Sequence, residues 1–503
     1  MSILQGLRRA VQINGSGTAT IDHDRRRNWS ELAARAARFA GALAASGVKP
    51  GDRVAMLALN GDTYLEYFYA APMAGALVVP LNIRLAPPEI VAILNDAGAA
   101  ALIVDRTFAP VVQAIRPQLT SVKTIFDPAS LDAAIAAASP IDPIEPVSGD
   151  LYGIFYTGGT TAASKGVMLS HGNIVSNAMN MLAEVGFGSD TVYLHAAPMF
   201  HLADCSCTFS VTMSAGTHAF VPRFDAVQAI EAIARWGVTN SVLVPSMINM
   251  ILSDPSVASL DMTSLRGVLY GGSPIAEAVL RRAMATLPNC GFIQAYGMTE
   301  LAPVVTMLPA REHVTDGPRA KRLRSGGRPV HTAEIRIVDE QDREVPRGTV
   351  GQIVARGPMV MQGYWNQPKL TAEALRNGWM HTGDGGYMDD EGFVYIVDRI
   401  KDMIITGGEN VYSAEVENAI FQHPAVAMCA VIGAPDDKWG ERVHAVVSLK
   451  PGETATEAEI IGHARTLIAG YKCPRTVDVR TGPLPLSGAG KVLKTVLRAE
   501  LRV

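Results

Sequence analysis

The chain has 503 residues, of which 48% are hydrophobic and 18% are charged, and its formal net charge is −4. This composition excludes a largely disordered protein, and the dispersed basic residues argue against nucleic acid as the main partner. A chain of this length exceeds one ordinary hydrophobic core, so we expect two or more domains and a small-molecule substrate.

The N-terminal segment and the cysteines predict a protein of the reduced cytoplasm. The first 15 residues contain no apolar signal core, and the longest apolar run, 67–81, is interrupted by Pro72, Gly75 and Pro80. These features predict neither export nor a transmembrane segment. The five cysteines form no regularly spaced framework, which favours small buried apolar side chains over disulfides or a metal site.

Helix-like and strand-like segments alternate along the chain. Ser30 is expected to cap a helix that stops at Gly47, and the segment 53–59 then alternates like a strand. Further along, a helix-like segment, 226–236, precedes a β-branched one, 238–244. Repeated alternation of this kind predicts an α/β fold, with a large layered N-terminal region of parallel-rich sheets.

The pattern of predicted turns, strands and helices changes near residue 398. Gly-rich turns and short strands lead into the segment DRIKDMIITGGEN, after which a smaller unit begins with its own pattern. Within that unit Thr456 and Glu459 form a capping box before an apolar helix face. We therefore predict a large domain over 1–398, a hinge over 399–401, and a small mobile α+β lid domain over 402–503.

A loop of glycines and hydroxyl residues follows a strand-like segment at Tyr156. Small residues let backbone N–H groups approach phosphate oxygens, threonine hydroxyls donate hydrogen bonds, and a lysine supplies positive charge. The residues expected to bind phosphate are Thr157, Gly158, Gly159, Thr160, Thr161 and Lys165. The spacing differs from that of the usual NTPase loop, and a Gly/Thr turn with a solvated lysine remains an alternative for the loop taken alone.

Five further motifs follow in order. They are YGGSP (270–274), YGMTE (296–300), HTGD (381–384), DRIKD (398–402) and GK (490–491). Together with the glycine-rich loop they resemble the adenylate-forming superfamily of acyl-CoA synthetases, adenylation domains and luciferases, and specifically its bacterial fatty-acyl and aryl-CoA ligase branch. The resemblance covers essentially the whole chain, and ordered motifs at long separations are far more specific than any one of them.

The resemblance implies that several motifs bind ATP with Mg²⁺. Thr299 is expected to contact the α-phosphate and Glu300 to hold Mg²⁺, a hard cation that prefers carboxylate and phosphate oxygens. Asp384 is expected to accept the ribose hydroxyls, and Arg399 to support the ribose from the hinge. Taken singly, these residues could also form tight turns, a helix start or a surface cation. The remaining residues expected at the nucleotide are Gly271, Gly272, Ser273, Tyr296, Gly297 and Met298.

The resemblance implies that the small domain serves both half-reactions and that the second one uses coenzyme A. Lys491 is expected to enter the site during adenylation, because a positive charge lowers the barrier when a carboxylate attacks a phosphate. The small domain is implied to swing about Lys401 and to open a tunnel for CoA lined by Gly407 and Gly408. His201 matches an aromatic position near the acyl pocket. A solvated lysine at 491 and a structural histidine at 201 are the alternatives.

The sequence thus predicts an ATP-dependent acid–CoA ligase that makes an acyl adenylate and then an acyl-CoA. The stretch 244–254 offers several apolar side chains and no lysine or arginine, so we expect an apolar fatty or aromatic acid and disfavour dicarboxylates. Two alternatives stay open: a ligase with an acceptor other than CoA, and a catalytically weak nucleotide- or acyl-binding pseudoenzyme. Homodimers are common in the family, and the sequence does not decide the oligomeric state.

The glycine-rich loop departs from the family pattern at two positions. Gly158 stands where the family has serine, and Ala162 stands where it has glycine. Losing a hydrogen bond to a charged phosphate weakens binding by roughly 1.5–3 kcal/mol, although the other loop donors remain. We expect reduced affinity for ATP with catalysis retained.

Overall fold

The computed structural model describes residues 1–157, 164–407, 409–436, 438–487 and 492–501, and of Lys401 it describes the backbone alone. The helices within these residues are α1 Leu4–Asn14, α2 Trp29–Ala45, α3 Asp62–Met73, α4 Pro87–Ala97, α5 Ala109–Ile115, α6 Pro128–Ala137, α7 His171–Val185, α8 Leu202–Ser214, α9 Ala226–Trp236, α10 Pro245–Ser253, α11 Glu277–Thr286, α12 Pro368–Ala374, α13 Ser413–Ile420, α14 Glu457–Arg465 and α15 Lys494–Glu500.

The strands in the same residues are β1 Thr18–Asp22, β2 Arg25–Asn28, β3 Arg53–Leu57, β4 Leu77–Pro80, β5 Ala99–Val104, β6 Thr124–Phe126, β7 Leu151–Thr157, β8 Lys165–Ser170, β9 Val192–His195, β10 Thr217–Phe220, β11 Asn240–Val242, β12 Gly267–Gly271, β13 Gly291–Gly297, β14 Val304–Leu308, β15 Arg328–Pro329, β16 Glu334–Val338, β17 Gly351–Arg356, β18 Gly363–Tyr364, β19 Leu375–Arg376, β20 Trp379–Met388, β21 Val394–Arg399, β22 Ile404–Thr406, β23 Glu409–Val411, β24 Val426–Asp436, β25 Gly440–Leu449 and β26 Thr476–Arg480.

Two sheets with parallel centres form the first part of the chain. One has the order β15-β14-β13-β12-β11-β9-β10-β1-β2, and the other has the order β18-β8-β7-β4-β3-β5-β6. Pairing is parallel from β1 through β13 in the first sheet and from β7 through β6 in the second, with antiparallel strands at the edges. Central strands such as β4 are buried along their whole length, as parallel strands covered by helices require.

The later part of the chain forms two smaller sheets. The first is antiparallel, with the order β16-β17-β20-β19 and with β21 on β20. The second has the order β23-β22-β25-β24, with β26 parallel to β25 and a separate hydrophobic core. The predicted fold class, a large parallel-rich α/β region followed by a small α+β unit, is confirmed. The predicted hinge, 399–401, begins at the last residue of β21 and continues into the short 3₁₀ turn Ile400–Asp402 before β22, and the domain boundary stays a prediction.

Two predicted helix N-caps can be compared with the structure, and one of them is correct. Ser30 was the expected cap of α2, and this expectation is wrong, because Ser30 lies inside the first turn. Asn28 is the cap: its side chain accepts from the Glu31 N–H at 2.8 Å, and Glu31 accepts from the Asn28 N–H at 2.9 Å. The predicted capping box of Thr456 and Glu459 is confirmed at the start of α14.

The five cysteines are free thiols, and all except Cys290 are buried. Their burial agrees with the expectation of small apolar side chains. Among the described helices, none combines the length and the apolar character needed to cross a lipid bilayer.

Candidate active site

The predicted phosphate loop connects two paired strands. β7 and β8 are antiparallel, and their register sets Thr157 opposite Lys165. The four loop residues Gly158, Gly159, Thr160 and Thr161 lie outside the described residues, as does Ala162. Just before the loop, the Tyr156 hydroxyl donates to the Asp96 carboxylate at 2.5 Å. The two ends of the predicted loop are therefore fixed side by side at the carboxyl end of β7.

Tyr364 contacts both Lys165 and Glu300 and so connects them. The Lys165 Nζ lies 5.5 Å from the centre of the Tyr364 ring, a distance typical of a cation–π contact. The Tyr364 hydroxyl donates to the Glu300 Oε1 at 2.8 Å. Burial and the adjacent carboxylate raise the pKa of Tyr364, so its hydroxyl stays protonated and donates. This contact brings the lysine of the loop and the predicted metal ligand into one cluster.

The turn that carries Glu300 is held by hydrogen bonds on both sides. Thr299–Leu301 forms a short 3₁₀ turn directly after β13, and Glu300 is 7% exposed. The Glu300 carbonyl accepts from the Met361 N–H at 2.9 Å, and the Asn177 amide donates to the Val304 carbonyl at 2.8 Å. A buried carboxylate fixed in this way can accept a cation without rearranging.

The Glu300 site suits Mg²⁺ bound together with phosphates. Within the described residues, no group of three or more His, Cys, Asp or Glu side chains is arranged to hold a metal ion. Mg²⁺ on a nucleotide needs only one or two carboxylates, since phosphate oxygens and water complete its shell. Tyr364 donates to one oxygen of Glu300, and the second carboxylate oxygen is of the type that Mg²⁺ binds.

At the other end of the motif cluster, Asp384 joins three parts of the chain. The Tyr296 hydroxyl donates to the Asp384 Oδ2 at 2.7 Å, and the Arg399 Nε lies 2.8 Å from the Asp384 Oδ1. Burial and the Asp384 carboxylate raise the pKa of Tyr296 well above its usual value, so Tyr296 remains a donor. β20 and β21 pair Asp384 directly with Arg399, which explains why HTGD and DRIKD meet.

Close packing also requires glycine at several of the motif positions. A Cβ on Gly271 would lie 2.1 Å from the Ala295 carbonyl oxygen, and a Cβ on Gly297 would lie 1.8 Å from the Pro303 carbonyl oxygen. Gly272 has φ +77°, which favours glycine. Since β12 and β13 are parallel neighbours, the segments 271–273 and 296–298 leave the sheet at one edge.

The segment 398–402, which contains the predicted hinge 399–401, contacts residues on both sides of the predicted domain boundary. Arg399 reaches back to Asp384, whereas the Asp398 carboxylate accepts from the Ser413 N–H at 2.7 Å, and Asp402 lies 2.8 Å from the Arg498 guanidinium. Lys401 follows in a short 3₁₀ turn. The predicted hinge is therefore connected to Asp384 in the predicted large domain and lies beside contacts with the predicted small domain.

The predicted CoA-tunnel glycines are only partly described. Gly407 has φ +61°, and its N–H donates to the Trp439 carbonyl at 2.9 Å. A Cβ on Gly407 would lie 2.6 Å from the Trp439 ring, so a side chain would not fit. Gly408 and Lys491 lie outside the described residues.

His201 has a structural role that its sequence motif did not reveal. It precedes α8, and its Nδ1 accepts from the Ala203 N–H at 3.2 Å, which caps the helix. The loop before it is held by Asn60, whose amide donates to the Ala197 carbonyl at 2.9 Å. His201 is half-buried.

Two cavities lie away from these motifs. One, of about 510 Å³, opens beside α2 between Arg27, Arg35 and Arg38. The other is a small apolar void between α9, α10 and the strands β12 and β13, and Ile248 and Ile251 line it. These two residues of the apolar stretch therefore pack in the core, whereas Met250 is exposed.

Comparisons with known proteins agree with the motif order and the fold. The AMP-binding enzyme family matches residues 7–365, and the AMP-binding enzyme C-terminal domain matches residues 415–491. The chain belongs to the AMP-binding enzyme family. Its membership confirms the resemblance that the motifs indicated.

Relatives of this AMP-binding enzyme align over nearly their whole length. Feruloyl-CoA synthase of Amycolatopsis sp is 40% identical, covering 97% of this chain and 95% of that protein. Long-chain-fatty-acid–CoA ligase FadD13 of Mycobacterium tuberculosis is 36% identical, covering 95% and 93%. ATP-bound MatB from Rhodopseudomonas palustris superposes with a TM-score of 0.89 at 31% identity over 99% of both chains, whereas apo MatB gives 0.78.

Sequence patterns missed two residues that shape the site of this AMP-binding enzyme. Tyr364 lies in the segment GYWNQP, where the aromatic residue after a glycine was the only signal. His313 lies behind the YGGSP motif: its Nδ1 is 3.1 Å from the Pro309 carbonyl, and its Nε2 is 2.8 Å from the Tyr270 hydroxyl. Because a carbonyl only accepts, Nδ1 carries the proton and Tyr270 donates to Nε2.

The buried His313 predicts a loss of stability in acid. Burial lowers the pKa of His313 to about 4 from an ordinary value of 6.5. Between these values the unfolded chain binds a proton that the folded protein excludes, so the free energy of unfolding falls as the pH falls. From pH 7 to pH 5 this histidine should contribute a loss of about 2 kcal/mol, which His313→Gln removes.

Urea unfolding of wild type and His313→Gln at both pH values measures the effect. The variant is less stable at pH 7, and the gap should narrow by about 2 kcal/mol at pH 5. His23→Gln serves as the matched control, because the His23 side chain is 71% exposed. A gap that stays constant or widens in acid would show that His313 is protonated in the folded protein.

Proposed function

We propose that this enzyme activates an apolar aliphatic or aromatic carboxylic acid with ATP and transfers the acyl group to coenzyme A. Its class, an AMP-forming acid–CoA ligase, agrees with the prediction and with the relatives, which are named feruloyl-CoA synthase and long-chain-fatty-acid–CoA ligase. The observation that carries the proposal is the contact chain from Lys165 through Tyr364 to Glu300, which aligns a phosphate-binding cation with a metal-binding carboxylate.

ATP would lie along the edge where the motifs gather. The loop 157–165 binds the phosphates with backbone N–H groups, hydroxyls and Lys165. The backbone of 271–273 and of 296–298 frames the adenine. Asp384 has one oxygen on Tyr296 and one on Arg399, and each carboxylate oxygen can accept a further hydrogen bond, here from a ribose hydroxyl.

Glu300 would hold Mg²⁺ on the phosphates. When bound, Mg²⁺ neutralises phosphate charge and so makes the α-phosphorus easier for an anion to attack. Tyr364 orients the Glu300 carboxylate through its hydroxyl, and Thr299 contacts the α-phosphate from the same turn.

The chemistry proceeds in two displacements. A carboxylate oxygen of the acid attacks the α-phosphorus, pyrophosphate leaves, and Lys491 stabilises the charge that accumulates on the phosphate oxygens. The CoA thiol, as its thiolate, then attacks the acyl carbonyl, and AMP leaves with the oxygen that joined it to the acyl group. The small domain, 402–503, would turn about Lys401 between these steps, with Gly407 and Gly408 lining the thiol's path. His201 would border the acyl pocket in addition to capping α8.

The cytoplasm is the proposed compartment. Five free thiols are typical of a reducing environment, and ATP and CoA are available there. A homodimer stays an open expectation from the family.

A panel of acids tests the proposed reaction. Pyrophosphate release from Mg-ATP is measured with cinnamic acids and with medium- and long-chain fatty acids, each with and without CoA, and malonate serves as the dicarboxylate control. Release should require an apolar acid, and AMP and acyl-CoA should form in equal amounts when CoA is present. Acid-dependent release without acyl-CoA would indicate another acceptor, and ATP binding without any release would indicate a pseudoenzyme.

Tyr364→Phe tests the role of the contact chain. Removing a hydrogen bond to a charged group costs about 1.5–3 kcal/mol, so kcat/KM for ATP should fall about tenfold or more, and half-maximal activity should need more Mg²⁺. Tyr387→Phe is the matched control, because Tyr387 stacks on Tyr395 and is bonded to none of the motif residues in the described part of the chain. Equal, small effects of both substitutions would remove Tyr364 from the mechanism.

A further inference from the structure

One hydrogen bond links the large domain to the segment that precedes Lys491. The Arg84 Nη1 donates to the Ser487 carbonyl at 2.9 Å, across 403 positions of sequence. Arg84 belongs to the first part of the chain, and Ser487 belongs to the small domain. The acceptor is a backbone carbonyl, so the contact depends on the position of the segment and not on the side chain at 487.

Arg84 lies at the same edge as the predicted phosphate loop. It follows β4, which runs parallel to β7, and the carboxyl ends of parallel neighbours meet at one edge of a sheet. β7 ends at Thr157, where the phosphate loop begins. The Arg84 N–H donates to the Asn82 Oδ1 at 3.0 Å, which fixes the turn that presents the guanidinium.

The segment around Lys491 is anchored within the small domain on its other side. Leu486 pairs with Val492, and the Leu493 N–H donates to the Pro485 carbonyl at 2.8 Å. The Lys494 Nζ lies 2.7 Å from the Glu417 carboxylate, a mostly buried pair. The flanks of 488–491 are therefore anchored in the small domain, and Arg84 connects Ser487 to the large one.

The domain arrangement in which this bond forms resembles that of a nucleotide-bound relative. The chain superposes better on ATP-bound MatB than on apo MatB, with TM-scores of 0.89 and 0.78. Both structures are of the same protein, so the difference reflects conformation and not sequence. The Arg84 contact thus belongs to an arrangement like that of the ATP-bound relative.

We propose that Arg84 is a positioning residue that docks the small domain for adenylation, and that its bond to Ser487 breaks before thioester formation. This inference rests on the proposed function. A contact made in only one of two arrangements shifts their populations by its own free energy, so it favours the adenylation arrangement. The bond is exposed and charge-assisted, strong enough to bias the equilibrium and weak enough to break in each cycle.

Separate assays of the two half-reactions test the inference. In Arg84→Gln, acid-dependent pyrophosphate release should fall about fivefold, while thioester formation from supplied acyl adenylate and CoA should not fall. Arg116→Gln, an exposed arginine of the same domain, is the matched control and should change neither rate. An equal loss in both half-reactions, or no loss in either, would overturn the docking role.

A cross-link tests the contact without relying on turnover. Arg84→Cys combined with Ser487→Cys should react with a short bis-maleimide linker when Mg-ATP is present, and Arg84→Cys alone should give no intramolecular product. The linked protein should adenylate its acid yet fail to form the thioester. Absence of the cross-link overturns the inference, whereas a cross-link in a protein that releases no pyrophosphate with any acid places the failure in the proposed function.

Discussion

The Asp384 carboxylate is the group on which the end of the site proposed to bind the nucleotide depends. It is 5% exposed, and an ionised carboxylate is stable at such burial only when it is paired. Its partners include Tyr296, from the nine-stranded sheet, and Arg399, at the predicted hinge. The buried carboxylate proposed to accept the ribose hydroxyls thereby holds Tyr296, the side chain expected at the adenine, and Arg399, at the predicted hinge, in a single arrangement. A substitution at any of these three positions would change the side-chain geometry at the other two.

The phosphate end follows the same principle with different residues. Glu300 is buried in a turn that Met361 and Asn177 hold in place, and Tyr364 satisfies one of its oxygens. β7 and β13 come from different sheets, and each ends in a motif loop at its carboxyl end. The contacts of Tyr364 with Lys165 and Glu300 connect these two loops. In the proposed reaction, these fixed charges would lie at the two ends of ATP, and the small domain would supply what changes between the half-reactions.

The sequence predicted the features that depend on neighbouring residues or on the order of motifs. Motif order indicated the family, and the capping box at Thr456 needed only neighbouring residues. The cap of α2 was misplaced because two polar residues, Asn28 and Ser30, compete, and the reciprocal bonds with Glu31 decide between them. Tyr364 was missed because its meaning depends on Glu300, 64 positions away. Gly271 and Gly297 were assigned to the nucleotide, whereas the structure adds a packing reason that only neighbouring strands reveal.

The central claim is that the acid attacks the α-phosphorus of ATP. The most direct measurement uses an acid labelled with ¹⁸O in its carboxylate, turned over with Mg-ATP and CoA, and mass spectrometry of the products. One labelled oxygen should appear in AMP, because the attacking oxygen stays on phosphorus when the thiolate takes the acyl group. Label in pyrophosphate or inorganic phosphate, or AMP formed without label, would contradict the account.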